Sequence, residues 1–162
     1  LSLQDVAIHA GVSKALIHYH FADKETLLVR VVEWTTEQVV ARQRSALGDT
    51  PPAKAVDALW QWLSGELEGG NLRVLLELTQ YRAPRVQDAV RQSIAVRQAA
   101  MVATISRLFK LLGLHPRVPA ELLASVVVAF DDGLVARSPE RGTADARVAF
   151  DIFWLSILSL AE

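Results

Sequence analysis

Apolar residues recur along this chain at helical rather than strand spacing almost from end to end. Leu3, Val6, Ala7 and Ala10 form a first short periodic run, and Ser2 with Asp5 makes a capping box at its start. Gly11 interrupts it. Ile17 and Phe21 then mark a second short helix, from about Lys14 to Phe21, with Ser13 as its cap and Val12 as a plug in the angle between the two. Asp23 caps a long third helix whose apolar positions continue through Leu27, Leu28, Val31, Val32, Trp34 and Val39 and which ends near Leu47, before Gly48-Asp49-Thr50-Pro51-Pro52.

The same period continues. Val56, Leu59, Trp60, Leu63 and Leu67 predict a helix starting near Ala53 and closed by Gly69-Gly70, and Leu72 to Tyr81, apolar on most sides, predicts a central one. Ala83-Pro84 breaks it. The longest run, about Val86 to Leu112, sets Val90, Ile94, Met101, Ile105, Leu108, Phe109 and Leu112 on one broad face. Arg91, Arg97 and Arg107 fall off that face or at its edge, and Gly113 ends the helix. Two further helices, roughly Ala120 to Arg137 and Ala144 to Ala161, flank Ser138-Pro139-Glu140-Arg141-Gly142. No orientation of the stretch from Phe150 to Leu158 hides every large side chain in one small core, which predicts burial against something outside the subunit. The fold class is all-α.

Composition narrows the function classes. The 162 residues, 51% apolar, suffice for one small module and one bundle. Without cysteine there is no disulfide frame, thiolate metal site or cysteine nucleophile, and the expected compartment is the cytoplasm. No uncharged apolar run reaches the ~18 residues of a membrane span, Asp151 interrupts the apolar tail, and no secretory signal opens the chain. A net charge of -1 gives no general electrostatic case for nucleic acid. Within residues 1–30, Lys14, Lys24 and Arg30 are balanced by Asp5, Asp23 and Glu25.

The case for nucleic acid is geometric: helix, tight turn, helix is what a helix-turn-helix reader needs to set its second helix in a major groove. At Ala10-Gly11-Val12-Ser13, Phe21 and Lys24-Glu25-x-Leu27-Leu28 the chain resembles, in order and spacing, the N-terminal signature of the tetracycline-repressor (TetR) family of bacterial transcriptional regulators. One position departs: His18 stands where that family usually has tyrosine, with Tyr19 just after it. The resemblance is sharp from Leu3 to Leu28 and architectural beyond, although Phe130-Asp131-Asp132-Gly133-Leu134 is similar to the family's penultimate helix. It implies that the family's first helix would precede Leu1. It also implies a helix-turn-helix DNA-binding domain over residues 1–26 and a helical ligand-binding and dimerisation domain over 27–162.

Site expectations follow from pattern and resemblance together. For DNA they are Ser13, Lys14, Ala15, Leu16, His18, Tyr19, His20 and Lys24. Lys14 lies near a helix start to reach a guanine edge or a phosphate, Ala15 and Leu16 suit thymine methyls, and His18, Tyr19 and His20 suit phosphates. Lys24 joins its ammonium to a helix N-terminus to hold one more phosphate. A small apolar effector would sit among Trp34, Trp60, Leu63, Leu75, Thr79, Met101, Ile105 and Phe130, residues that read equally as plain core. By resemblance the last two helices pair with their copies in a homodimer through Ala124, Val128, Asp131, Phe150, Phe153, Trp154 and Ile157.

Catalysis finds little support. His18 and His20 diverge on a helix, His9 and His115 are isolated, and the adjacent Asp131 and Asp132 point ~100° apart. No nucleophile elbow, phosphate-binding glycine loop or dinucleotide fingerprint occurs, so neither enzyme activity, metal nor cofactor is expected. The reading is a ligand-responsive regulator, a repressor first, that binds a palindromic double-stranded DNA operator as a homodimer and is released by its effector. The alternative is a ligand-binding or assembly bundle using the helix-turn-helix for protein contact. Steep salt dependence of operator binding separates the two.

Overall fold

The computed structural model describes residues 2–137 and 143–162, so the segment Ser138 to Gly142, expected to join the last two helices, lies outside the described residues. Eight α-helices are described: α1 (Leu3–Ala10), α2 (Lys14–His20), α3 (Lys24–Ala46), α4 (Ala55–Gly69), α5 (Asn71–Leu78), α6 (Pro84–Leu112), α7 (Ala120–Arg137) and α8 (Thr143–Leu158). Local chemistry sets their ends. Ser2 and Asp5 cap α1 reciprocally, Asp23 accepts from the Thr26 amide at 2.7 Å to start α3, and Pro84 opens α6 where its missing N–H costs nothing. Gly113, at φ 67°, closes α6 in the left-handed conformation that side chains resist.

α3 and α6 form the spine, and α4, α5 and α7 pack around them. α3 runs unbroken from Lys24 to Ala46, so the boundary expected at 26/27 lies within one continuous helix. The core is continuous, with Leu63, Leu72, Ile105, Leu108 and Phe109 sealed from solvent. α8 lies against α4 through Phe150 and Trp60, whose rings are 5.2 Å apart, and Arg147 sits over Trp60 while bonding Asp57 at 2.7 Å. It meets α7 where Phe130 stacks on Phe153 at 3.9 Å. The chain end turns back after Leu158, and the Glu162 and His115 backbones exchange hydrogen bonds of 3.1 and 2.8 Å.

Three expectations about helix faces are corrected. α5 is one-sided rather than central, with Leu72 and Leu75 buried but Val74 and Glu77 exposed. On α6, Ile94 faces out and Arg97 faces in, because the long helix presents that side to α7, where Asp132 pairs with the guanidinium. On α3, Trp34 points away from the bundle.

Beside that ion pair Asp131 is only 3% exposed. Burial pushes its carboxyl well above the ordinary 3.8, Arg97 opposes the shift and Asp132 adds to it. Asp131 therefore ionises in the unfolded chain at a lower pH than in the folded one. Its contribution is most favourable below 3.8 and declines as pH rises from there towards the folded value. Asp131→Asn is expected to raise the melting temperature at pH 7 by roughly a few degrees and to leave it nearly unchanged near pH 3.5. Calorimetric melts of both proteins at the two pH values check this.

Candidate nucleic-acid interface

The turn between α1 and α2 is built from few residues. Gly11, at φ 67°, donates to the Ile8 carbonyl at 3.2 Å, and Val12 donates to that of Ala7 at 3.0 Å, which closes α1 and redirects the chain. The Ser13 hydroxyl accepts from the Leu16 amide at 3.1 Å and starts α2. Ala7 and Ile17 are the buried residues of these helices, whereas Val12, expected as the plug, is exposed. Val12 is 37% exposed, so it covers the turn from outside rather than being sealed within it.

With Ile17 turned in and Phe21 half-buried, all of Ser13, Lys14, Ala15, Leu16, His18, Tyr19 and His20 are exposed, Tyr19 at 84%. No acid lies between residues 13 and 20. The three acids of the head lie off α2: Asp5 and Asp23 in helix caps, and Glu25 in the first turn of α3. Asp5 is held by Ser2, whose hydrogen bonds keep its carboxyl below the usual range. Asp23 is held low by its bonds to Thr26 and then by Arg85. The exposed face of α2 thus presents Lys14 and hydrogen-bonding side chains with no acid among them, in a head that is neutral overall, and such a face can meet a phosphate backbone.

Lys24 is half-buried at the first turn of α3, its ammonium 5.4 Å from the centre of the Tyr81 ring. Arg85 donates to Asp23 at 3.2 Å and to Thr26 at 3.1 Å. Gln87 fixes the corner between α5 and α6 by donating to the Thr79 and Tyr81 carbonyls. Tyr81 and Arg85 therefore join the bundle to the start of α3. Sequence reasoning missed both, because contacts between residues so far apart in the chain, 59 positions for Arg85 and Thr26, leave no periodic trace.

Residues 1–31 match the family model of the bacterial regulatory proteins, tetR family. The chain has the head of a tetR-family transcriptional regulator. No curated protein matches it. The match covers α1, α2 and the first two turns of α3, the same elements that hold the exposed, acid-free face. Proteins of that family are DNA-binding regulators, and among the described residues no helix is long and apolar enough to cross a membrane.

The regulator's other expected sites are arranged differently. Trp60, Leu63, Leu75, Met101 and Ile105 do come together, as parts of one packed core. Phe130 is stacked on Phe153, Thr79 borders a groove of about 470 Å³ between α5 and α7, and Trp34 lies outside with no access to the bundle interior. At the expected dimer interface, Ala124, Asp131, Phe150, Trp154 and Ile157 are buried within the single subunit, and Val128 and Phe153 are half-buried. Each of the last two helices carries large apolar residues on two faces, and the aromatic side has turned inward. The outward side bears Leu122 and Val126 on α7 and Val148, Ile152 and Leu155 on α8. The spacing 148, 152, 155, offset from 146, 150, 154, 157, was the available signal.

Proposed function

We propose that this regulator is a homodimeric repressor whose two α2 helices enter successive major grooves of a near-palindromic operator, roughly 34–36 Å apart. The observation that carries the reading is the exposed, acid-free face of α2, fixed by the Gly11 turn and the Ser13 cap. Lys14, His18, Tyr19, His20 and Lys24 take phosphates or base edges, and Ala15 and Leu16 read thymine methyls. The dimer forms through the outward apolar side of α7 and α8.

The effector is a small apolar molecule admitted among Trp60, Leu63, Leu75, Met101, Ile105 and Phe130 as the core loosens. Such loosening moves the α5–α6 corner, and Tyr81 and Arg85 carry the movement to Lys24 and Asp23. A coupling of ~1–3 kcal/mol releases the operator. The regulator acts in the cytoplasm, where operators are.

Lys24→Ala is expected to weaken binding to every DNA sequence alike, by about tenfold, and to lower the salt slope by about 1. Leu16→Ala changes which sequences are preferred instead. Fluorescence anisotropy on a panel of duplexes at several salt concentrations tests both, and unchanged affinity in Lys24→Ala contradicts the placement of the motif.

A further inference from the structure

Three of the chain's four histidines, His9, His18 and His20, lie in the head, and all three are exposed. No aspartate or glutamate occurs from Val6 to Ala22, and Lys14 is the one fixed charge of that stretch. Imidazole is the side chain whose charge changes between about pH 5 and 8, so proton binding sets the charge of this surface. The three histidines differ in their surroundings. His9 has Asp5 one turn earlier on α1. His20 borders a groove that also holds Arg30, Glu33 and Glu37 of α3, and its ring meets that of Tyr19 edge-on at 5.2 Å. His18 makes no hydrogen bond or ion pair among the described residues, and its neighbour one turn back on α2 is Lys14. Of the elements around α2, α1 carries Asp5, bound to Ser2, and His9. The start of α3 carries Asp23, bound to Thr26 and to Arg85 of α6, with Lys24 and Glu25 in its first turn.

We infer that His18 holds a DNA phosphate as an imidazolium, so that operator binding takes up a proton and tightens as the medium becomes more acidic. The inference rests on the DNA reading above and adds its regulation. In the free protein α2 offers a charge on His18 no acidic partner. On the duplex a phosphate against the imidazole favours the charged form, and Lys14 shares the same run of phosphates. The bound protein therefore keeps the proton at pH values where the free protein has released it. Affinity rises as pH falls through that interval and levels off once both forms are charged. The added charge also releases a further counterion from the DNA, which steepens the dependence on salt. His9 and His20 have carboxylates of the head itself for company, so their charges are less tied to the duplex.

Fluorescence anisotropy with a labelled random-sequence duplex of about three helical turns, at low salt, measures the effect, since phosphate contacts carry no sequence information. The full chain is expected to bind about fivefold more tightly at pH 6 than at pH 8, with a salt slope steeper by about 1 at the lower pH. His18→Gln flattens that rise whatever its absolute affinity. His18→Lys, permanently charged, flattens it too and keeps the steeper salt slope at both pH values. His9→Gln and His20→Gln retain the rise. All four substitutions fall on exposed side chains, and circular dichroism at each pH checks that the helices are intact. Equal affinity at the two pH values, or a rise that survives in His18→Gln, overturns the inference and leaves the DNA reading standing. Absence of binding at both pH values overturns the DNA reading itself, and the inference with it.

Discussion

Leu155→Glu is expected to convert the proposed dimer to a monomer and to lower operator affinity at least about a hundredfold. Leu155 is 71% exposed on α8, in line with Ile152 and Val148 and beside Leu122 and Val126 of α7. A run of five large apolar side chains on one side of two helices is more than isolated exposed residues account for, and marks a surface that is covered in use. In a two-fold interface one substitution appears twice, so two carboxylates would be desolvated against apolar neighbours, each costing several kcal/mol. Loss of pairing separates the two heads, and with them the high effective concentration that lets the second head bind once the first is seated. Because Leu155 touches little within its own subunit, the melting temperature of the monomer should hold. Sedimentation velocity and operator titration check the pair of effects together, and a Leu155→Glu protein that remains dimeric would remove α8 from the interface.

Phe150→Ala, only five positions earlier, should act in the opposite way. Phe150 is 1% exposed, lies 5.2 Å from the Trp60 ring and 5.9 Å from that of Trp154, and fills the space where α8 meets α4. Truncation leaves a cavity among rings that have no other way to close, and the expected loss is about 3–5 kcal/mol of folding stability. Urea denaturation at a fixed protein concentration measures it. Dimerisation of the fraction that remains folded should be unaffected, since the outward side of α8 is unchanged. A loss below about 1 kcal/mol would mean that the α4–α8 contact contributes little to the fold.

The contrast between these two positions shows what the sequence held and what it withheld. Both belong to an α8 that is apolar on two faces, and its pattern states that two surfaces need covering without saying which is internal. The choice is made in three dimensions by Trp60, from the distant α4, and Phe130, from the preceding α7, which offer rings to Phe150 and Phe153. Trp34 illustrates the same limit on α3: the helical period allowed it to join the inward stripe, but the bundle lies on the other side. Arg97 was read as peripheral because its partner, Asp132, is 35 positions away.

The head was legible for the converse reason. Gly11, Ser13, Ile17 and Asp23 act through contacts within a few residues, so local chemistry and spacing sufficed to place α1, the turn, α2 and the cap of α3. Its electrostatics were less legible, since neutrality counted over residues 1–30 hides the fact that Asp5 and Asp23 are occupied in caps while α2 presents no acid.

The most direct measurement is selection of bound fragments from random duplex DNA by the full-length protein, followed by titration of the enriched sequence across a salt series. The expected result is an inverted repeat whose half-sites are centred about one helical turn apart, with affinity falling steeply and linearly on logarithmic axes as salt rises. Enrichment of no sequence, or binding indifferent to salt, would contradict the assignment of α2 as a reader of DNA.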